Sequence, residues 1–287
     1  MRQFYTLLLG LWLIVPGFAH AQEPQKHVIG CWPHGLFSSF CGVLNQIEWC
    51  EQHNKIPVVT WGKGSLYYLK GGFNGHEDVW KYYFEPVSAL QYESGDAIHS
   101  QYAFTSNHDS SFYYTHLDQG TRDKAARIID KYVKINSAVQ QKIDNFFDIN
   151  MQGKTIGIHL RGTDKKIEKK PVSPEKIIKA ALACADADAQ FLLASDEQRL
   201  LDQMIALLPG RKVIFYDCYR SDSSKPLHKK PKKPSHAQLG EDVLVEVALL
   251  AQCDLLVHTL SNVSTAALYF NPDMPHVVVK KRTQIVC

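Results

Sequence analysis

The segment IGIHLRGTDKK, residues 156–166, joins a strand-like apolar run to a cluster of charged residues. The run, at residues 154–160, is followed by Arg161 and a Gly-Thr turn. In open α/β sheets, ligands bind beyond the carboxyl ends of the parallel strands. The segment therefore predicts an α/β fold and also where a binding site lies within it.

Strand and helix patterns alternate regularly through the C-terminal half of the chain. Four further apolar runs have the character of buried parallel strands, at residues 190–194, 212–216, 255–257 and 276–279. Helical patterns lie between the strands, at residues 174–187, 197–208, 241–252 and 263–269. This alternation predicts a parallel sheet that is covered by helices on both faces.

The N-terminal half is less regular. Strand patterns at residues 27–30 and 57–61 flank a helical pattern at residues 42–53. Residues 67–111 are rich in Tyr, Phe, Gly, Asp and Asn, and we expect loops with short elements there. Residues 121–147 predict an interrupted helical stretch that joins the two halves.

The first 21 residues have the pattern of a secretory signal peptide. Arg2 is followed by an apolar stretch at residues 5–18 and by the small-x-small site Ala19-His20-Ala21. We expect export to a periplasm, the cell exterior or the lumen of a secretory pathway; the alternative is an uncleaved N-terminal anchor. No later segment reaches the roughly 18 apolar residues of a membrane-spanning helix, so no stable membrane span is expected.

Length and charge restrict the domain number and the partners. The 287 residues carry a formal net charge of +3, which does not favour a nucleic-acid partner. The part that follows the signal peptide suits two domains of ordinary size. We place an N-terminal domain at residues 22–150 and a C-terminal domain at residues 151–287.

Seven cysteines are present, and their pairing stays open at this point. Export permits disulfides, but Cys184 and Cys253 lie in apolar segments and are expected to be plain core residues. The sequence contains no CxxC pair, and its His and Cys spacing does not suit zinc. We therefore predict no metal site.

Polar clusters follow three of the predicted strands in the C-terminal half. They contain His159 and Arg161, then Ser195 and Asp196, then Thr259, Ser261 and Asn262. Arg161 is a permanently charged planar donor suited to phosphate oxygens, and Ser261 opens a helix whose free N–H groups bind anions. Together they predict a diphosphate cradle. The alternative is that Ser261 only caps the helix while Arg161 pairs with Asp164.

Glu246 is a carboxylate inside the apolar helical segment VLVEVALLAQC. Such a group is costly to bury without a partner. Its two oxygens match the N1–H and N2–H₂ edge of guanine, although it could equally face solvent on an amphipathic helix. The phosphate-binding loop G-x-x-x-x-G-K-[ST], the dinucleotide fingerprint G-x-G-x-x-G and the hydrolase motif G-x-S-x-G are all absent.

Three motifs resemble those of the α1,6-fucosyltransferases and of their superfamily, which includes the nodulation and protein O-fucosyltransferases. The motifs are IGIHLRGTDK (156–165), FLLASDEQRLLDQM (191–204) and EVALLAQCDLLVHTLSNVSTAALYF (246–270). Two N-terminal segments, residues 35–61 and 79–87, are also similar to the early region of that family. The resemblance covers most of the chain after the signal peptide.

The resemblance implies a GT-B fold, with two Rossmann-like domains that face a cleft. It implies that the domain at residues 22–150 lies on the acceptor side and that the domain at residues 151–287 binds the nucleotide sugar. It implies an inverting, metal-independent transfer of fucose from GDP-fucose to a hydroxyl of a glycan or protein, without a cofactor. Arg161 would stabilise the departing diphosphate. His159 and Glu246 would face the guanine, Asp196 would lie near the nucleotide, and Ser261 and Asn262 would hold phosphate.

The sequence departs from the family pattern at two points. Gly162 stands where the family has a second arginine, and Asn262 stands where it has a serine. The general base is not evident: Glu168 is the nearest carboxylate, although KKIEKK also suits a charged surface loop. Asp78 and Glu85 are the alternatives.

Two other functions stay open on the sequence alone. The same fold could use another nucleotide sugar, or the chain could be a degenerate, non-catalytic protein that binds sugar or nucleotide. Gly162 favours the second of these, whereas His159, Arg161, Asp196 and Ser261 favour a transferase. The aromatic residues of the segment 67–114 are expected either to stack on the acceptor or to form the core of an irregular domain.

Overall fold

The computed structural model describes residues 25–100, 110–162, 172–222 and 234–280. The predicted signal peptide and Glu168 lie outside these ranges. Within them, the chain forms two parallel sheets with accompanying helices. No helix in this part of the chain combines the length and the apolar character needed to cross a bilayer.

The first sheet has three parallel strands in the order β2-β1-β3. Its elements are β1 (Gln25–Ile29), helix α1 (Leu36–Gln52), β2 (Lys55–Val59) and β3 (Ile98–His99). Helix α1 begins at Leu36 and not near residue 42, because the apolar side chains that precede Gly42 are buried as part of the same helix.

Two helices join the halves, α2 (Gln119–Tyr132) and α3 (Ser137–Asn150). The interruption predicted within residues 121–147 is confirmed, and its cause is a side-chain cap. The carboxylate of Asp118 accepts a hydrogen bond from the backbone at the start of α2, and the amide of Asn136 does the same for α3. Each cap satisfies a backbone N–H that has no partner within its helix.

The second sheet has five parallel strands in the order β6-β5-β4-β7-β8. Its elements are β4 (Thr155–His159), α4 (Pro174–Ala183), β5 (Gln190–Ala194), α5 (Gln198–Ala206), β6 (Val213–Ile214), α6 (His236–Leu250), β7 (Leu255–His258), α7 (Asn262–Phe270) and β8 (His276–Val278). The predicted α/β fold with a parallel C-terminal sheet is confirmed. The strand order reverses between β4 and β7, which makes their carboxyl ends the topological switch point.

Helix α6 and Cys184 differ from the sequence-based expectations. Helix α6 begins at His236 and not at residue 241, because the Ser235 hydroxyl caps it by accepting a hydrogen bond from the Gln238 N–H at 3.1 Å.

Cys184 is disulfide-bonded, so its prediction as a plain core residue is wrong. Helix α4 ends one residue before Cys184 and leaves this residue half-buried. Cys253 is a buried free thiol, as predicted.

The hydrophobic core beneath helix α7 is continuous between the two halves. One cluster of buried side chains includes Phe40 of α1, Ile129 of α2, Leu249 of α6 and Tyr269 of α7. Helix α7 packs against all three of those helices. The domain division at residue 150 stays a prediction.

Candidate functional site

The three polar clusters predicted from the sequence meet at one edge of the second sheet. In the strand register, His159 at the end of β4 lies between Ala194 of β5 and His258 of β7. The residues that follow these strands therefore share the switch point. Parallel pairing places them there because all three strands run in the same direction.

Backbone and hydroxyl groups tie these strand ends together. The Arg161 N–H donates to Thr259 Oγ1 at 3.2 Å, and the Thr259 N–H donates to the carbonyl of His159 at 3.1 Å. The Ser195 hydroxyl donates to the carbonyl of Leu160 at 2.9 Å. These bonds fix the point at which the Arg161 side chain leaves the sheet.

Asp196 orients the guanidinium of Arg161. Arg161 Nε lies 3.3 Å from Asp196 Oδ2, and the other carboxylate oxygen accepts a 2.8 Å hydrogen bond from the Gly162 N–H. Both side chains keep about a fifth of their surface exposed (22% and 20%). A hydrogen bond with an ionised partner is among the stronger kinds, so this carboxylate holds the arginine and the turn after it. Asp164, the other predicted partner, lies outside the described residues.

Arg161, Asp196 and Glu246 line one pocket, which we name the Arg161 pocket. Its remaining lining residues come from both halves of the chain: Tyr67, Ser195, Cys218, Tyr219, Leu239, Asp242 and Val243. His159, Ser261 and Asn262 are not among the described residues that line it. The pocket thus opens between the end of β4 and helix α6.

His159 and Ser261 lie behind this pocket and contact each other. Burial lowers the pKa of His159 to about 4, with Asp196 opposing the shift and Arg161 adding to it, so the ring is neutral at pH 7. Its Nδ1 lies 3.4 Å from Ser261 Oγ, which also accepts a 3.1 Å hydrogen bond from the Ser264 N–H. Ser261 is therefore the N-cap of helix α7, as in the alternative interpretation. Asn262 is the half-buried first residue of that helix.

Glu246 does not face open solvent; its side chain is 12% exposed and borders the pocket. Its Oε1 accepts a 2.9 Å hydrogen bond from Nη2 of Arg220 and lies 3.5 Å from the Cys218 sulfur. Burial raises the pKa of Glu246 to about 7, although Arg220 opposes the rise. Burial also raises the pKa of Asp242, one helical turn earlier.

Sequence reasoning missed Arg220 and Asp242, and it included Tyr67 only among the aromatic residues of the segment 67–114. Arg220 could have been found, because it follows strand β6. Ligands bind beyond the carboxyl ends of parallel strands, and this reasoning applies to β6 as it does to β4, β5 and β7. Asp242 stands four residues before Glu246, a helical spacing that places both on one face. Tyr67 had no signal beyond the general abundance of tyrosine; its hydroxyl accepts a 2.9 Å hydrogen bond from the Leu36 N–H at the start of α1.

A side chain at Gly162 would displace its neighbours. A Cβ at this position would lie 2.6 Å from Cδ1 of Leu200 and 2.7 Å from Oε2 of Glu197. Glu197 is itself buried, and its Oε1 lies 3.0 Å from Nη2 of Arg199. The place where the resembling family has a second arginine is thus filled by neighbouring side chains.

The alternative candidates for the general base lie away from the Arg161 pocket. Oδ1 of Asp78 accepts hydrogen bonds from the backbone N–H groups of Trp61 and Trp80, at 2.9 and 3.0 Å, beside a separate pocket at the end of β2. Glu85 is not a described lining residue of either pocket. Glu168, the first candidate, is not described, so its role stays a prediction.

Carboxylate, imidazole and thiol groups do not gather into a metal-binding cluster of three or more anywhere in the four described ranges. The Arg161 pocket instead combines one permanent cation with three carboxyl groups. Such a site offers donors to an anion at Arg161 and acceptors to N–H groups at Glu246.

No protein-family model and no curated protein sequence matches this chain. Solved structures do match it. The selenomethionine form of the Bradyrhizobium fucosyltransferase NodZ superposes with a TM-score of 0.56 at 16% identity, over 90% of this chain and 95% of that chain. A NodZ α1,6-fucosyltransferase co-crystallized with GDP gives 0.56 at 16% identity, over 89% and 95%. One soaked with GDP-fucose gives 0.55 at 16% identity, over 86% and 93%.

These comparisons concern the fold, and they cover nearly the whole length of both proteins. The GT-B-like architecture expected from the three sequence motifs is confirmed. The chain thus has the fold of the fucosyltransferase structures that its motifs resemble.

Proposed function

We propose that this protein is a glycosyltransferase that moves fucose from GDP-fucose to a hydroxyl of a glycan or protein, with inversion and without a metal. One observation carries the proposal. Arg161 and Glu246 line a single pocket at the switch point of a sheet, in the fold of a fucosyltransferase whose crystals were soaked with GDP-fucose.

Arg161 is assigned to the diphosphate. It is permanently charged, partly exposed and held in place by Asp196, so it needs little reorganisation to meet an anion. The nearby start of helix α7, at Ser261 and Asn262, adds the favourable field of a helix N-terminus. In this role Arg161 neutralises the charge that develops on the departing GDP.

Glu246 is assigned to the guanine. Guanine presents two adjacent N–H donors, and Oε2 of Glu246, the oxygen that Arg220 does not bind, accepts hydrogen bonds when the carboxylate is ionised. With a pKa near 7, Glu246 becomes ionised in the physiological pH range. Neutral His159 lies behind the pocket and supports the turn at Ser261.

The proposed reaction is a single displacement. The acceptor hydroxyl oxygen attacks the anomeric carbon of fucose from the face opposite the diphosphate. The bond between that carbon and the diphosphate oxygen breaks, and its electron pair leaves with GDP beside Arg161. The acceptor proton passes to a carboxylate within hydrogen-bond reach; Glu168, just after the first motif, is the proposed base.

A non-catalytic nucleotide-binding protein is the second candidate, and Gly162 is the observation that favours it. The packing of Leu200 and Glu197 against this position leaves the pocket without a second arginine. A binding protein would retain nucleotide affinity but would release no GDP from GDP-fucose.

Thermal unfolding with GDP, UDP or ADP tests the donor class. A ligand present at about 100 times its Kd adds roughly 2.7 kcal/mol of stability, so we expect GDP alone to raise Tm clearly. A response to UDP alone indicates another nucleotide sugar, and no response to any of the three overturns the proposal.

Arg161→Ala tests the transferase role. With GDP-fucose as the only substrate, GDP release to water or to added glycans is expected to fall at least 100-fold, the scale of losing one stabilising donor. Far-ultraviolet circular dichroism and Tm should stay close to wild type because the side chain is partly exposed. An alanine variant that remains fully active excludes Arg161 from the reaction.

Export is proposed on the sequence pattern of residues 1–21. N-terminal sequencing of the protein recovered from its producing cells tests this directly. A mature terminus at Gln22 supports cleavage, whereas a terminus at Met1 on membrane-bound protein supports the anchor alternative.

A further inference from the structure

Arg220 is a buried arginine with a specific set of partners. Its side chain is only 2% exposed, and it lies in the segment that follows strand β6. Nη2 donates to the carbonyl of Tyr216 at 2.8 Å, and Nη1 donates to the carbonyl of Cys218 at 3.1 Å. A guanidinium is rarely buried unless its charge and its donors are matched.

The charge partner of Arg220 is Glu246. Nη2 of Arg220 lies 2.9 Å from Oε1 of that carboxylate. Within the described part of the chain, no residue hydrogen-bonds to the second oxygen, Oε2, while the Glu246 side chain borders the Arg161 pocket. One oxygen of the carboxylate is therefore anchored, and the other remains available to a ligand.

We propose that Arg220 is a positioning residue, which anchors Glu246 through Oε1 so that the other oxygen, Oε2, faces the N1–H and N2–H₂ edge of a purine. The inference rests on the proposed function, because it assumes a guanine nucleotide in the Arg161 pocket. It adds a determinant of base selectivity that lies behind the pocket and does not touch the ligand.

The bonds to the two carbonyls explain how Arg220 can act as an anchor. They attach the guanidinium to the backbone of the segment 216–218, so its position does not depend on Glu246. The carboxylate is consequently held from one side, and its rotation about the last side-chain bond is restricted. A fixed acceptor discriminates between bases better than a mobile one, because the carboxylate cannot rotate to accommodate an unmatched edge.

Electrostatics support the same role. Burial raises the pKa of Glu246, and Arg220 is the largest influence that lowers it. Asp242 on the same helix opposes ionisation of Glu246, whereas the hydrogen bond from the Cys218 thiol favours it. Arg161 lies across the pocket with its charge offset by Asp196. Without Arg220, Glu246 would be protonated at neutral pH and would offer a donor where a purine donor already points.

The experiment compares Arg220→Gln and Arg220→Lys with a matched control, Arg211→Gln. Arg211 also binds backbone carbonyls, including that of Ala189 at 3.3 Å, but it lies outside the pocket. Calorimetric Kd values are measured for GDP, for inosine diphosphate, which lacks the N2 amine, and for ADP. Wild type is measured first.

We expect wild type to prefer GDP to inosine diphosphate. Arg220→Gln should weaken GDP binding about tenfold or more and bring the two affinities close together, while Arg211→Gln leaves both unchanged. Arg220→Lys should recover part of the preference, because a lysine restores the charge without the fork of donors. In wild type, GDP affinity should rise as the pH increases through about 7, and in Arg220→Gln this rise should move to higher pH.

Two outcomes count against the proposals, and they are distinguishable. If wild type binds GDP and Arg220→Gln retains wild-type affinity, selectivity and pH dependence, the role of Arg220 is overturned while the proposed function stands. If wild type binds no GDP, the proposed function falls and the role in base selectivity falls with it. Should Arg220→Gln fail to fold, Arg220→Lys is tested with and without Glu246→Gln, and an equal loss in both backgrounds overturns the proposal.

Discussion

Helix α6 carries three carboxylates, and the difference between two of them, Glu241 and Glu246, separates structure from function. Glu241 is completely buried and has three partners: Lys142, Gln238 and Asn74. Both of its oxygens are occupied. Glu246, five residues later, has an anchored oxygen and a free one, and it faces a pocket.

The surroundings of Glu241 and Glu246 also differ. Beside Glu241, helix α6 packs tightly on the N-terminal half, where the Tyr83 hydroxyl donates to the carbonyl of Ala237 at 2.9 Å. Beside Glu246, the helix borders a cavity. A fully matched buried charge maintains the fold, whereas a partly matched one is available for binding.

The tightest point of the structural region is Gly240, and substitution there should have the largest effect. A Cβ would lie 2.1 Å from the Tyr83 hydroxyl oxygen and 2.9 Å from Tyr67. We expect Gly240→Ala to lower the free energy of unfolding by about 3 kcal/mol, as measured by urea denaturation. Gly120→Ala, in the exposed first turn of α2, is the control and should not destabilise. A tolerated Gly240→Ala would mean that this region is loosely packed.

Glu246 should make the protein less stable as the pH rises. Its pKa is about 7 when folded, against an ordinary value of 4.5, so the folded state binds more protons between these values. Stability attributable to Glu246 therefore falls as the pH increases from 4.5 to 7, by about 2–3 kcal/mol. Buried neutral His159 and His258 act in the opposite direction below their ordinary pKa.

The difference between wild type and Glu246→Gln isolates this contribution, since the histidines are common to both. We expect Glu246→Gln to gain stability relative to wild type as the pH rises through the window. Urea denaturation at pH 5, 6 and 7 measures the change. Parallel stability profiles for the two proteins would show that Glu246 does not titrate near neutrality.

Glu241→Gln should destabilise by about 2 kcal/mol at pH 7. Gln238 and Asn74 donate to different oxygens of Glu241, and an amide offers an acceptor on one side only. One donor is then left facing an NH₂ group, at the cost of an unmatched buried polar group. The GDP affinity of the folded protein should change less than twofold. A large loss of affinity without loss of stability would erase the distinction between the two carboxylates.

Glu246→Gln should have the smallest effect in free energy, but the one most specific to binding. Replacing the carboxylate with an amide removes one of the two acceptor oxygens at position 246, beside the proposed guanine edge. We expect Kd for GDP at pH 8 to rise about tenfold, equivalent to about 1.4 kcal/mol, with ADP unaffected. Calorimetry measures both. Equal losses for the two nucleotides would indicate that Glu246 does not read the base.

Much of the C-terminal fold was predictable because its strands are buried on both faces. Strand β5, at Gln190–Ala194, has the predicted bounds, because polar residues on both sides of a continuous apolar run mark where the strand begins and ends. The start of α6 was not predicted, because Ser235 caps the helix from within a polar, lysine-rich segment. A cap is a single hydrogen bond, and composition does not reveal it.

The site was predictable at the strand ends and unpredictable where distant segments meet. Arg161 and Asp196 follow apolar runs, so topology alone brought them together. The pairing of Arg220 with Glu246 joins a loop to a helix 26 residues later, and the two residues have no common periodicity. Likewise, nothing in the sequence indicated that Leu200 and Glu197 close the space at Gly162.

That closure has a consequence for how this site can change over evolutionary time. An arginine at position 162 requires its neighbours to move, because its first carbon would lie 2.6 Å from Leu200 Cδ1 and 2.7 Å from Glu197 Oε2. A smaller residue at position 200 or a shorter one at position 197 would remove this conflict. Among relatives, these three positions should therefore vary as a set: where 162 carries a long side chain, at least one of the other two should be reduced.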